Sequence, residues 1–253
     1  MRALWAIANL TLKEYARRKL YVVTLLMMFI VAGTGLLANP FTVGTQSRLI
    51  RDLALLFIQL FTIFLGMALG ATALSNEIER KSIYPFLSKP ISRGTYLRGK
   101  CLAIAIFLTA NAFVLGGLLL LIVRISAGET HWAIFSACLL IAVEATVVAS
   151  FCLFFSTFMT VSVTFASMVL VYIVGNLSHV YALTLTADNP VMRVILRVLK
   201  SIIPYFDYFS IRSAVTHNLP VSPPYIATAA GYGLLYVTLA MLLAEAAFSW
   251  KDL

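Results

Sequence analysis

Gly94 to Val123 reads GTYLRGKCLAIAIFLTANAFVLGGLLLLIV, and its first eight residues come within one position of a nucleotide-binding signature. A phosphate-binding loop needs G-x-x-x-x-G-K followed by Ser or Thr. The spacing holds at Gly94, Gly99 and Lys100 and fails at Cys101, whose thiol cannot supply the hydroxyl that ligates magnesium. Context decides the matter. Such a loop follows a β-strand, opens a soluble helix and uses small residues, so that backbone N–H groups approach phosphate. Upstream, Pro85 and Pro90 preclude a regular strand, and the intervening Thr95, Tyr96, Leu97 and Arg98 are mostly bulky. Downstream, the apolar run from Cys101 is long enough to cross a hydrocarbon layer of ~30 Å, which takes ~20 helical residues. Nucleotide binding by this chain is therefore not expected. Arg98 and Lys100 are read as basic side chains snorkelling at the start of a membrane span.

The composition agrees. The 253 residues are 61% hydrophobic and only 11% charged, with a mean hydropathy of +0.95, whereas about a quarter of a soluble domain is charged. The formal charge of +9 would suggest nucleic acid in a soluble chain. In a membrane chain basic residues mark topology and touch lipid headgroups, so no nucleic-acid partner is expected and membrane lipids are. Cys101, Cys138 and Cys152 fall in apolar stretches without C-x-x-C spacing, which indicates neither a disulfide framework nor a metal cluster.

Six apolar stretches are long enough to span, at about 20 to 38, 53 to 74, 101 to 123, 132 to 155, 161 to 183 and 225 to 248. The first is read as a retained span rather than a cleaved signal, because its lead is long and helix-forming. The expected fold is thus an all-α, multi-pass membrane protein with residues 1–253 as one domain. With the N-terminus inside, twelve of the 19 Lys and Arg residues fall on the inner side and seven on the outer. Both termini are therefore expected in the cytoplasm.

Residues 1–19 precede the first span and carry Leu4, Ala8, Leu12 and Tyr15 on one helical stripe, with Asn9, Lys13 and Arg17 opposite. That pattern predicts an interfacial helix, serving either as an anchor for the first span or as a contact for a partner protein. The cytoplasmic loop from Ser75 to Lys100 reads SNEIERKSIYPFLSKPISRGTYLRGK. Glu77 stands at helical spacing from Arg80 and Lys81 before Pro85 stops the helix, and Ser92 is placed to cap the next one. A short, charged, proline-bounded helix projecting from a membrane domain suits docking by a cytosolic partner, and a solvated connection between two spans would look the same.

This loop resembles that of the permease subunits of type-two (export-type) ATP-binding-cassette transporters. Their pattern after the second span is an acidic residue, a Ser or Thr, a Leu-Ser-x-Pro core, a Ser-Arg pair and a Gly-Lys leading into the third span. The chain supplies Glu77, Ser82, Leu87, Ser88, Pro90, Ser92, Arg93, Gly99 and Lys100. The six spans, the amphipathic start and the ending AFSWKDL also fit, although Trp250 departs from the more basic ending of the family. The resemblance implies that the loop docks into a cleft of a separate ATPase subunit, with Glu77, Glu79, Arg80, Ser82, Leu87, Pro90 and Arg93 as the coupling residues. It implies no cofactor in this chain, with ATP and magnesium on the partner. It further implies a second permease copy, the same or similar, an accessory protein in the periplasm or outside the cell, and residence in a bacterial inner membrane.

The outer segment from about 184 to 224 contains DNPVMRVILRVLKSIIP, in which Pro190 suits a first helical turn and Arg193, Arg197 and Lys200 share one face. In the family, external re-entrant helices at this position form a lid; a surface-lying helix with no gating role is the alternative. Within the spans, Glu144 stands near a centre, in LLIAVEATVVASF. A charge there costs about 2.5–3.5 kcal/mol on insertion scales, so it should face the bundle interior or a cavity. It is either a structural carboxyl, protonated or bonded to Tyr and Thr on a neighbouring helix, or a substrate contact. Asn176 and His179 line the same path or cap the outer end of the fifth span. Gly66 and Gly70 form a G-x-x-x-G that permits close helix approach, a motif common in apolar helices. Two other function classes are weighed: an ion-coupled secondary transporter or channel using Glu144, and an intramembrane enzyme or metal handler. Neither is favoured, because no repeat relates spans 1 to 3 to spans 4 to 6 and His131, His179 and His217 are scattered.

Overall fold

A computed structural model describes residues 2–17, 20–37, 43–79, 92–127, 131–176, 203–217 and 219–249. All regular structure among the described residues is helical. The elements are α1 (Arg2–Arg17), α2 (Leu20–Leu37), α3 (Val43–Glu79), α4 (Arg93–Ala127), α5 (Ala133–Phe155), α6 (Val161–Asn176), a one-turn 3-10 helix (Phe206–Phe209), α7 (Arg212–Thr216) and α8 (Pro223–Ser249).

The described part of each apolar stretch read from the sequence lies almost wholly on a helix, but α3 and α4 extend well beyond theirs. Hydropathy detects only the part of a helix that suits hydrocarbon. The backbone continues into the polar turns Arg48–Asp52 and Asn76–Glu79, whose residues are mostly compatible with helix. Four helices among the described residues are long and apolar enough to cross a membrane: Arg48–Ser75, Arg93–Ile125, Ala133–Phe155 and Pro223–Phe248. Shorter apolar helices cover Val22–Gly33 and Val161–Asn176; residues 177–183 of the expected fifth span lie outside the described residues.

The helices run alternately between two ends of a bundle. At one end, Ser75 Oγ of α3 donates to the Met159 carbonyl just past α5 (3.1 Å). At that same end Arg93, which opens α4, donates to the Phe248 carbonyl near the close of α8 (2.8 Å), and α1 packs across the first turns of α4. At the opposite end Arg212 of α7 pairs with Asp52 of α3 (3.2 Å). The first and last described helices therefore meet the same end of the bundle.

The core sits around α5, which is buried along nearly its whole length between α3, α4 and α8. Here the G-x-x-x-G of α3 performs a definite task. A Cβ added at Gly66 would lie 2.8 Å from the Ala145 carbonyl oxygen, and one at Gly70 would lie 2.6 Å from both the Ala149 oxygen and Cys152 Cβ. Two small residues on each helix, one turn apart, thus bring the backbones of α3 and α5 into contact, the close approach by which helices associate in lipid. The outside is as apolar as the core: Phe29 on α2 is 79% exposed and Leu235 on α8 is 69% exposed, each among other exposed aliphatic residues. An apolar surface this extensive matches a bilayer rather than water as the surrounding solvent.

α1 differs in detail from its expected stripe. Ile7, Ala8, Thr11 and Tyr15 are buried, Leu12 is only half-buried, and Trp5 and Leu10 are exposed. The buried stripe faces protein, not acyl chains. Gly99 of α4 permits it, since a Cβ there would lie 2.8 Å from Ile7 Cγ2.

Candidate functional site

The run that resembles a phosphate loop is a helix start. Ser92 Oγ accepts from the Thr95 N–H (3.2 Å) and the Ser92 carbonyl accepts from Tyr96 N–H (3.2 Å), so the first turn of α4 is capped by its own residues. From there the N–H groups belong to the helical ladder and form no cradle for phosphate. Arg98 reaches outward and makes a bidentate pair with Glu245 of α8 (2.5 and 2.8 Å). Lys100 does not. It is 4% exposed, donates to the Ala73 carbonyl of α3 and lies 5.3 Å from the centre of the Tyr96 ring. With α1 packed on the neighbouring Gly99, the side chain is drawn inward to an acceptor on α3.

Of the residues expected to couple, Glu77 and Glu79 are on the last turn of α3 and Arg93 opens α4. Arg80, Ser82, Leu87 and Pro90 lie outside the described residues. Arg93 reaches across to α8: besides its bond to the Phe248 carbonyl, its guanidinium lies 5.4 Å from the centre of the Phe248 ring. A cation at a helix C-terminus satisfies an orphan carbonyl and complements the helix dipole. The loop is thus flanked by two helices and tied at its far end to the close of α8.

Glu144 is completely buried at the middle of α5. Gln59 Nε2 of α3 donates to its Oε2 (2.9 Å), and the Tyr172 hydroxyl of α6 donates to its Oε1 (3.0 Å). One carboxyl therefore ties three helices together through neutral donors, with Gln in place of the expected Thr. Around it the packing continues to the far end, where the Tyr172 and Phe206 rings have centroids 5.0 Å apart and Gly175 meets the Pro204 carbonyl. Asn176, the last residue of α6, is exposed. His179, like Arg193, Arg197 and Lys200, lies outside the described residues.

Three participants were not singled out from sequence: Gln59, Tyr172 and Glu245. Gln59 carries a usable signal, an amide in the middle of the apolar run ALLFIQLFTIFL. Glu245 falls within about a turn of the C-terminal end of the last span, where Arg93 and Arg98 gather. Tyr172 carries none, since a tyrosine suits any apolar helix. Among the described residues no three His, Cys, Asp or Glu side chains come together as metal ligands.

A multi-helix bundle with an apolar exterior and a carboxyl locked among its helices fits a protein embedded in a membrane. Residues 5–253 match the model of the ABC-2 family transporter proteins. The chain belongs to that family and is a transmembrane permease of an ABC transporter. No curated protein matches it.

Proposed function

We propose that this permease exports its substrate as a dimer, with the same or a similar chain, and is driven by separate ABC ATPase subunits that dock on residues 75–100. The family match over residues 5–253 carries this reading. Its support in the fold is that α1, the end of α3, the start of α4 and the close of α8 gather at one end of the bundle. A push on the segment between Glu79 and Arg93 acts on two spanning helices at once, and through Arg93 on a third.

In this reading that end faces the cytoplasm of a bacterial cell and six helices, including α2 and α6, span the inner membrane. The opposite end, with the segment from 184 to 224, forms the external lid and meets any accessory protein in the periplasm. ATP and magnesium act on the ATPase, and this chain is no enzyme. An ion-coupled carrier using Glu144 is disfavoured, because both carboxyl oxygens are engaged by Gln59 and Tyr172 in a closed core.

Topology reporters and one charge reversal test the proposal. Reporters after Lys89 and after Leu253 should read cytoplasmic, and one near Asn218 should read external. Glu77→Lys should weaken ATPase docking and lower transport, while the ATPase alone keeps its nucleotide affinity. An external signal at Lys89, or full docking and transport after the reversal, would sink it.

A further inference from the structure

A groove of about 300 Å³ runs between α1 and the start of α4. Leu10, Lys13, Glu14 and Arg17, at i, i+3, i+4 and i+7, form one wall, and Tyr96 and Lys100, at i and i+4, form the other. Three cationic side chains thus face one carboxylate. Lys100 is the buried member, held by the Ala73 carbonyl and the Tyr96 ring, while Lys13 and Arg17 stand exposed on the flank of α1.

We propose that this groove binds the headgroup of an anionic phospholipid, with the phosphate between Lys13 and Arg17 on one side and Lys100 on the other. Charge complementarity points to an anion, because Lys13 and Arg17 stand exposed in a lining that holds one carboxylate, Glu14. The surface beside the groove points to lipid: α1 exposes Leu10 (53%) in the groove wall and Trp5 (54%) further towards its N-terminus. Tryptophan is the residue type that settles at the boundary of headgroups and acyl chains. Ile7 and Leu10, which also line the groove, supply apolar surface for the glyceride carbons rather than for a free ion. A lipid seated here would clamp α1 onto the first turns of α4, close to Arg93. The leaflet, inner rather than outer, rests on the proposed orientation; the headgroup chemistry does not.

The test uses the purified full chain in nanodiscs of equal phosphatidylglycerol and phosphatidylcholine, with the co-purifying lipid read by native mass spectrometry. The wild-type chain should retain phosphatidylglycerol preferentially. Lys13→Gln with Arg17→Gln should reduce that preference roughly tenfold or more, each cation near an anionic surface being worth about fivefold in affinity. Lys13→Gln alone should give an intermediate loss, and Arg124→Gln, at the opposite end of α4, should give none. No preference in the wild-type chain, or one unchanged in the double variant, would overturn the site. Displacement of the lipid by millimolar inorganic phosphate would overturn the lipid assignment in favour of a soluble anion. Because the readout needs neither ATPase nor transport, it stands or falls separately from the permease reading.

Discussion

Removing the Glu144 side chain should loosen three helices at once. Glu144→Ala deletes two interhelical hydrogen bonds and leaves the Gln59 amide and the Tyr172 hydroxyl without their acceptor. Interhelical bonds in membrane proteins average about 0.6 kcal/mol and reach about 1.7. Two of them, with the stranded donors and the space left behind, give an expected loss of about 1–3 kcal/mol. Tyr172→Phe removes one bond and should cost about half as much. Combining the two substitutions should cost less than the sum, with a coupling of about 0.6 kcal/mol or more, because Tyr172 has nothing to donate to once the carboxyl is gone. Glu144→Gln keeps the volume and one acceptor, and with the Gln59 amide reversed it keeps both contacts, so its cost should stay below about 1 kcal/mol. Reversible unfolding in mixed micelles titrated with dodecyl sulfate gives these free energies directly. A Glu144→Ala chain as stable as wild type, or strictly additive effects with Tyr172→Phe, would refute the tie.

Gly70→Ala should destabilise by about 1–3 kcal/mol in the same assay, since its Cβ meets α5 backbone and Cys152 that cannot yield. Gly117→Ala, with nothing within 4 Å of the added carbon, should be neutral or stabilising by up to about 1 kcal/mol; equal responses would remove the α3–α5 contact from the account. The isolated chain should bind no fluorescent ATP analogue either before or after Lys100→Ala. Binding that the substitution abolishes would restore the phosphate-loop reading.

The helices were legible in the sequence because lipid demands long apolar runs, and Glu144 stood out because a carboxyl there is costly. What could not be read was anything that depends on how one helix is rotated against another. The G-x-x-x-G of α3 says only that some backbone can come close; that the partner is Ala145 and Ala149 follows from the register of α5. The same limit hid Gln59 and Tyr172 as the partners of Glu144. On α1, a pattern of apolar residues alone cannot tell protein from acyl chain as the surface it covers, so the buried stripe moved to Ile7, Ala8, Thr11 and Tyr15 once Gly99 let α4 approach. Lys100 illustrates the converse, a basic residue whose position near a span end suggested snorkelling until α1 enclosed it.

In the proposed function, force reaches these helices from an ATPase through the loop between α3 and α4. A photo-crosslinking residue at Ser88, activated in native membranes, tests it most directly. One dominant adduct is expected, with a protein that binds ATP; it should fade when Glu77→Lys is introduced and be absent when the crosslinker is moved to Asn218. An adduct at Asn218 with that same protein, or none at Ser88 while the complex transports, would contradict it.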